Sequence, residues 1–179
     1  MLVEVKVQSL GLDTTTNSPV VILQERDGER VLPIWIGPSE ARAIAMRMAE
    51  MEFSRPLTHD LLVSVLKGLG GELRKVIITR VEESTYYAEL IVHRNGDMIS
   101  LDARPSDSIA VALRVDARIF AQEDLLERAS IEISEAQDVA ELDDLTGQTE
   151  AQSPSTMGPE ELKEYLRRLN PEDFGRFTP

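Results

Sequence analysis

The feature that most constrains this chain is a change of hydrophobic period. LVEVKVQ (residues 2–8) alternates apolar and polar, the pattern of a strand with one buried face. VVILQE (20–25) and VLPIWIG (31–37) read as the two strands of a hairpin closed around Asp27-Gly28, with Trp35 assigned to the core. After Gly37 the period lengthens. PSEARAIAMRMAEM (38–51) predicts a helix with Pro38 at its first position and Ala41, Ile44, Ala45 and Met48 on one face. THDLLVSVLKGLGG (58–71) predicts a second, with Thr58 as N-cap, five apolar positions from Leu61 to Leu69, and a glycine stop. RKVIITRVEE, YYAELIVHR and MISLDA then return to strand character, joined at Ser84-Thr85 and at Asn95-Gly96. RPSDSIAVALRV predicts a third helix; ARIFAQEDLLERA adds a short strand and a short helix, and IEI (131–133) a last edge strand. Hairpin, two helices, meander and helix, in that order, do not repeat as βαβ units. The expectation is an α+β domain over residues 1–133, with about seven strands in a mixed or antiparallel sheet and about four packed helices.

The remainder has a different composition. Residues 134–157 hold six acids, no bases and no aromatics, which predicts a flexible acidic linker. Residues 158–179 predict a short amphipathic helix with Leu162, Tyr165, Leu166 and Leu169 on one face. Such a helix is too short to stand alone and is expected to dock on its own core, a sister subunit or another protein. Net charge is −13, of which −7 falls in residues 134–179, so the surface as a whole disfavours phosphate backbones. There is no cysteine, which excludes disulfides, thiolate metal sites and cysteine nucleophiles. The first residues alternate rather than form an apolar run after a basic start, so no signal peptide is expected; no run is apolar enough to span a membrane, and the expected location is the cytoplasm. P-loop, GxGxxG, HExxH and GxSxG signatures are absent. So is any aromatic-plus-basic stripe of the type that stacks single-stranded bases.

Candidate chemistry gathers where helices begin. His59, one of two histidines, sits beside Asp60, with Arg55 four residues earlier. Arginine, histidine and a helix N-terminus make a phosphate cradle, although an acid near a helix start is stabilising without any function. Asp102, Arg104, Ser106 and Asp107 crowd the third helix start. They read equally as a cap with an ion pair or as oxygen ligands for a divalent cation. Glu40 is the equivalent acid of the first helix. If the three starts converge, Glu40, Asp60, Asp102 and Asp107 surround a site with Arg55, Arg104 and His59. His93 is expected to be a hairpin residue without function.

LPIWIGPSEARAI, RPLTHDLL and LDARPSDSIAVAL, in this order and with STYYAEL between the last two, resemble the bifunctional nuclease domain family over nearly all of residues 1–133. LKEYLRRLNPEDF resembles a C-terminal extension of bacterial members. The resemblance implies an α+β domain, often dimeric, in a family with members that degrade DNA and RNA. It brings no catalytic set of its own; the positions matching the family's polar motifs are Glu40, Arg55, His59, Asp60, Asp102, Arg104 and Asp107. The first reading of these residues is a metal-assisted nuclease in which Asp60, Asp102 and Asp107, with Glu40, hold Mg²⁺ or Mn²⁺. Arg55 and Arg104 would bind phosphate, and His59, with Asp60 and Asp107, would carry the acid–base chemistry. The alternative is a non-enzymatic binding or regulatory module for a small anion or a protein partner. Carboxylates within reach of one cation favour the first reading, and carboxylates committed to arginines or amides favour the second.

Overall fold

The computed structural model describes residues 1–13 and 16–129; the edge strand expected at 131–133, the acidic linker and the C-terminal helix lie outside them. Seven strands form one sheet in the order β3-β2-β1-β7-β4-β5-β6. They are β1 (Leu2–Asp13), β2 (Ser18–Glu25), β3 (Val31–Trp35), β4 (Gly71–Glu82), β5 (Thr85–Arg94), β6 (Asp97–Ala103) and β7 (Arg118–Gln122). All neighbours are antiparallel except β4 and β7. Three helices, α1 (Pro38–Met48), α2 (Thr58–Gly68) and α3 (Pro105–Val115), interrupt the strands, and residues 123–129 form a fourth, α4. This is the expected α+β domain with a mixed sheet.

Alternation along the strands builds the core. Val21, Leu23, Leu32, Ile34, Val76, Ile78 and Ala88 turn one sheet face onto the helices and are fully buried or nearly so. Against them lies α3, whose residues Ile109, Ala110, Val111 and Ala112 are all buried. α1 and α2 pack on α3, and α2 also reaches β4. Burying a side chain the size of isoleucine contributes about 2 kcal/mol, so α3 is the central strut of the domain. Among the described residues no helix is long and apolar enough to cross a membrane.

Three local expectations are corrected. Trp35 is not core: it is 52% exposed, because period-two alternation with Leu32 and Ile34 sends it to the opposite side. Thr58 is the first helical residue rather than the cap, which is Leu57. The β4–β5 turn is Glu83-Ser84, one residue earlier than expected, with both residues in the left-handed region. α2 itself is mostly solvent-facing: of its residues only Val63 is buried, while Leu61, Leu62, Val65 and the C-cap Leu69 are exposed.

Candidate functional site

The three helix starts share one design. Each N-cap is extended (Gly37, Leu57 and Arg104), and each third helical position holds an acid: Glu40, Asp60 and Asp107. An anion in the first turn meets the free amides and the positive end of the helix dipole. What the three acids do next differs.

Asp107 and Glu40 join through Arg104. The Arg104 guanidinium donates to Asp107 from Nε (2.7 Å to Oδ2) and Nη2 (3.2 Å to Oδ1), and from Nη1 to Glu40 Oε1 at 2.9 Å. His59 completes the chain, with Nε2 3.3 Å from Asp107 Oδ1 and the imidazole only 15% exposed. Thus α1, α2 and α3 are tied at their N-termini by the sequence Glu40–Arg104–Asp107–His59. Burial works to raise the Asp107 carboxyl, but the Arg104 and His59 hydrogen bonds outweigh it and hold the group below the usual aspartate range. The Ser39 hydroxyl, Glu40's own amide and Arg104 likewise depress Glu40.

His59, Arg104 and Asp107 stand on the wall of a cleft of about 640 Å³ between α2, α3 and the β5–β6 edge. Asp102 lines it too, with Leu62, Leu90 and Leu101 forming its apolar floor. Arg104 also lines a second cleft of about 270 Å³ between the end of β3 and the β4–β5 turn.

A family model described as the bifunctional nuclease domain matches residues 21–134, well over half of the chain. The chain belongs to that family. Along nearly its whole length it is 41% identical to an uncharacterized protein of Mycobacterium tuberculosis, over 96% of this chain and 97% of that one. It is 28% identical to bifunctional nuclease 1 of Arabidopsis thaliana over 54% of this chain and 31% of the plant protein. For bifunctional nuclease 2 of Oryza sativa subsp. japonica the figures are 27%, 60% and 34%. The plant relatives therefore share one domain with this chain and are about three times its matched length.

Two of the expected site residues, Asp60 and Arg55, line neither cleft. Asp60 turns toward Arg114, which donates from Nε to Oδ1 at 2.6 Å, while Oδ2 accepts the Leu57 amide at 2.8 Å. Burial works to raise its carboxyl, and the Leu57 amide and Arg114 more than offset this, leaving it below the ordinary range. Arg55 is exposed and lines neither cleft. Arg114 was not among the sequence candidates. Only 7% exposed, it also donates to the carbonyls of Ala110 and Ala43, so one guanidinium fastens all three helices. Its spacing from Asp107, seven residues along one helix, is the signal that marks it.

The carboxylates do not form a cation cage. Asp60 is committed to Arg114 and an amide, Asp107 to Arg104 and His59, and Glu40 to Arg104 and Ser39. Among the described residues no group of three or more His, Asp or Glu stands close enough together to hold a metal ion. This donor set does not fit the Mg²⁺ or Mn²⁺ site expected of Glu40, Asp60, Asp102 and Asp107.

Proposed function

We propose that this chain hydrolyses phosphodiester bonds of DNA or RNA in the 640 Å³ cleft. The observation that supports it is the His59–Asp107–Arg104 constellation on the wall of that cleft in a bifunctional-nuclease domain. With Nε2–H of His59 given to Asp107, Nδ1 is the nitrogen with the free lone pair. His59 takes a proton from the attacking water as its oxygen bonds to phosphorus, and returns it to the leaving sugar oxygen as that P–O bond breaks. Asp107 orients the ring and stabilises the imidazolium between the two transfers. Arg104 has five N–H donors, of which three go to Asp107 and Glu40, leaving two for a phosphate. No step passes through a metal ion.

The reading has the chain acting as a homodimer, supported by the exposed edge strand β6 and the apolar side chains beside it. A second reading, the non-enzymatic anion- or protein-binding module, is favoured by the commitment of three carboxylates to partners inside the protein.

A cleavage assay separates them. Protein from a sizing column is incubated with single- and double-stranded DNA and RNA in Mg²⁺, Mn²⁺ or EDTA, beside His59→Ala and Asp107→Asn. The nuclease reading expects cleavage that co-elutes with the protein and falls at least about 100-fold in folded His59→Ala. Unchanged cleavage in that variant removes His59 from the mechanism. No cleavage in any condition leaves the binding module. Cleavage lost in EDTA and restored by Mg²⁺ or Mn²⁺ brings a metal-assisted step back into the mechanism.

A further inference from the structure

The smaller cleft lies at a helix start whose first turn is left open. Of the three acids at third helical positions, two turn back on backbone amides: Glu40 on its own and Asp60 on that of Leu57. Asp107 does not, because its oxygens go to Arg104 and His59. The N-cap of α3, Arg104, makes no side-chain cap, and Pro105 has no N–H to offer. The first bonded amide of α3 is that of Ser108, which donates to the Arg104 carbonyl at 3.0 Å. Among the described residues the amides of Ser106 and Asp107 are therefore without partners. Ser106 adds a second open group. It is only 6% exposed and lines the 270 Å³ cleft, and its hydroxyl has no hydrogen-bond partner among the described residues. A polar side chain that deeply buried is ordinarily bonded inside the protein, so the partner of this one comes from the cleft.

Two free amides, a hydroxyl and the Arg104 guanidinium, which lines the same cleft, are all donors. Glu40 faces the cleft as well, but its charge is offset by Arg104, which leaves the positive end of the α3 dipole, about half a charge, uncompensated there. Helix amides and an arginine fork both match the oxygens of a phosphate. At about 270 Å³ the cleft lies just under the roughly 300 Å³ at which pockets for whole ligands begin, so it suits one such group rather than an entire nucleotide. We propose that the first turn of α3 is a phosphate-binding site, in which the Ser106 hydroxyl, the Ser106 and Asp107 amides and Arg104 hold one phosphate group. Arg104 stands on the walls of both clefts, so for a strand cut beside His59 this is the phosphate next to the scissile one. The proposal rests on the phosphodiester reading for that strand, and not for the phosphate site itself.

Amide proton–nitrogen spectra of the full-length protein read this site residue by residue, without catalysis. The protein is titrated with inorganic phosphate and, in parallel, with thymidylyl-thymidine, whose one phosphate is internal, against sodium chloride at matched ionic strength. Saturable shifts centred on the Ser106 and Asp107 amides are expected with phosphate. The same shifts with the dinucleotide assign the site to phosphates inside a strand; shifts with inorganic phosphate alone assign it to a terminal or free phosphate. Ser106→Ala should weaken phosphate binding about 10-fold, and Ser106→Asp, which places a fixed anion there, should abolish it, with circular dichroism verifying that both fold. A titration that leaves the two amides unmoved overturns the proposal, as does binding unchanged in Ser106→Ala. In the cleavage assay Ser106→Ala should raise KM about 10-fold with kcat little changed, the split expected of a residue that holds substrate without entering the chemistry. Cleavage without the phosphate shifts removes the site and keeps the nuclease reading; the shifts without cleavage do the reverse.

Discussion

His59 and Asp60 are neighbours in sequence and yet do different work, because consecutive helical residues point about 100° apart. His59 meets Asp107, and Asp60 meets the buried Arg114. The adjacency that made the pair look like one site was therefore misleading, while the acids at third helical positions were legible from the motifs. Asp60→Asn leaves Arg114 without its anion and should cost about 2 kcal/mol at neutral pH. The sign of its pH dependence follows from the depressed Asp60 carboxyl. Stability from that ionisation is fully present above the unfolded aspartate value, near 4, and is lost as pH falls through the lower folded value. The gap in unfolding free energy between native protein and Asp60→Asn should thus be widest at pH 6–7 and close toward pH 3; a gap that grows on acidification would defeat the assignment. Ser108 makes the opposite case. It is fully buried, and among the described residues its Oγ has no hydrogen-bond partner. Ser108→Ala should be neutral or stabilise by about 1 kcal/mol, measured as a melting temperature raised by roughly 2–4 °C.

At the scale of elements, turns show what a sequence declares and what it hides. Asn95-Gly96 closes β5 to β6 with both residues at positive φ, 52° and 93°, the conformation for which asparagine and glycine are suited. Glu83-Ser84 closes β4 to β5 in the same left-handed region, at 47° and 64°, with residue types that pay for it. Nothing in those two residues announces the turn, which is why it was read one position late. The long register of β4 on β5, from Gly71 opposite Arg94 to Glu82 opposite Thr85, imposes it. Ser84→Gly should therefore stabilise the domain by about 0.5–1 kcal/mol in denaturant titration, whereas Gly96→Ala, at φ 93°, should destabilise it. The helix starts follow the same logic. Glu40 lies so close to Gly37 that a Cβ there would come within 2.3 Å of Oε2. Gly37→Ala must move that carboxylate and weaken its pair with Arg104, and the expected result is slower cleavage in the nuclease assay with little change in unfolding temperature.

For the whole molecule, the order of strands and helices was legible because period and breakers mark each element, but the sheet order was not. β7 is only five residues long, yet it lies between β1 and β4, pairing antiparallel with one and parallel with the other. That insertion joins the β1–β3 hairpins to the β4–β6 meander, and no local signal specifies it. The same assembly leaves β6 at an edge, with Met98, Ile99 and Leu101 exposed. Leu101 shares the large cleft with Leu62 of α2, and Leu61, Val65 and Leu69 run along α2 as an exposed stripe at four-residue intervals. An apolar helical stripe and an open strand edge in solvent are both liabilities that association removes. If a second copy covers this surface, sedimentation equilibrium should give twice the 20.0 kDa chain mass. Val65→Asp on α2 and Ile99→Lys on β6 should each shift it toward one chain while leaving the circular dichroism spectrum intact. A mass of one chain at every concentration would overturn the dimer. In that case Val65→Asp, on a residue that lines neither cleft, should leave mass and cleavage alike unchanged, and Leu62 alone would carry the apolar side of α2 into the large cleft.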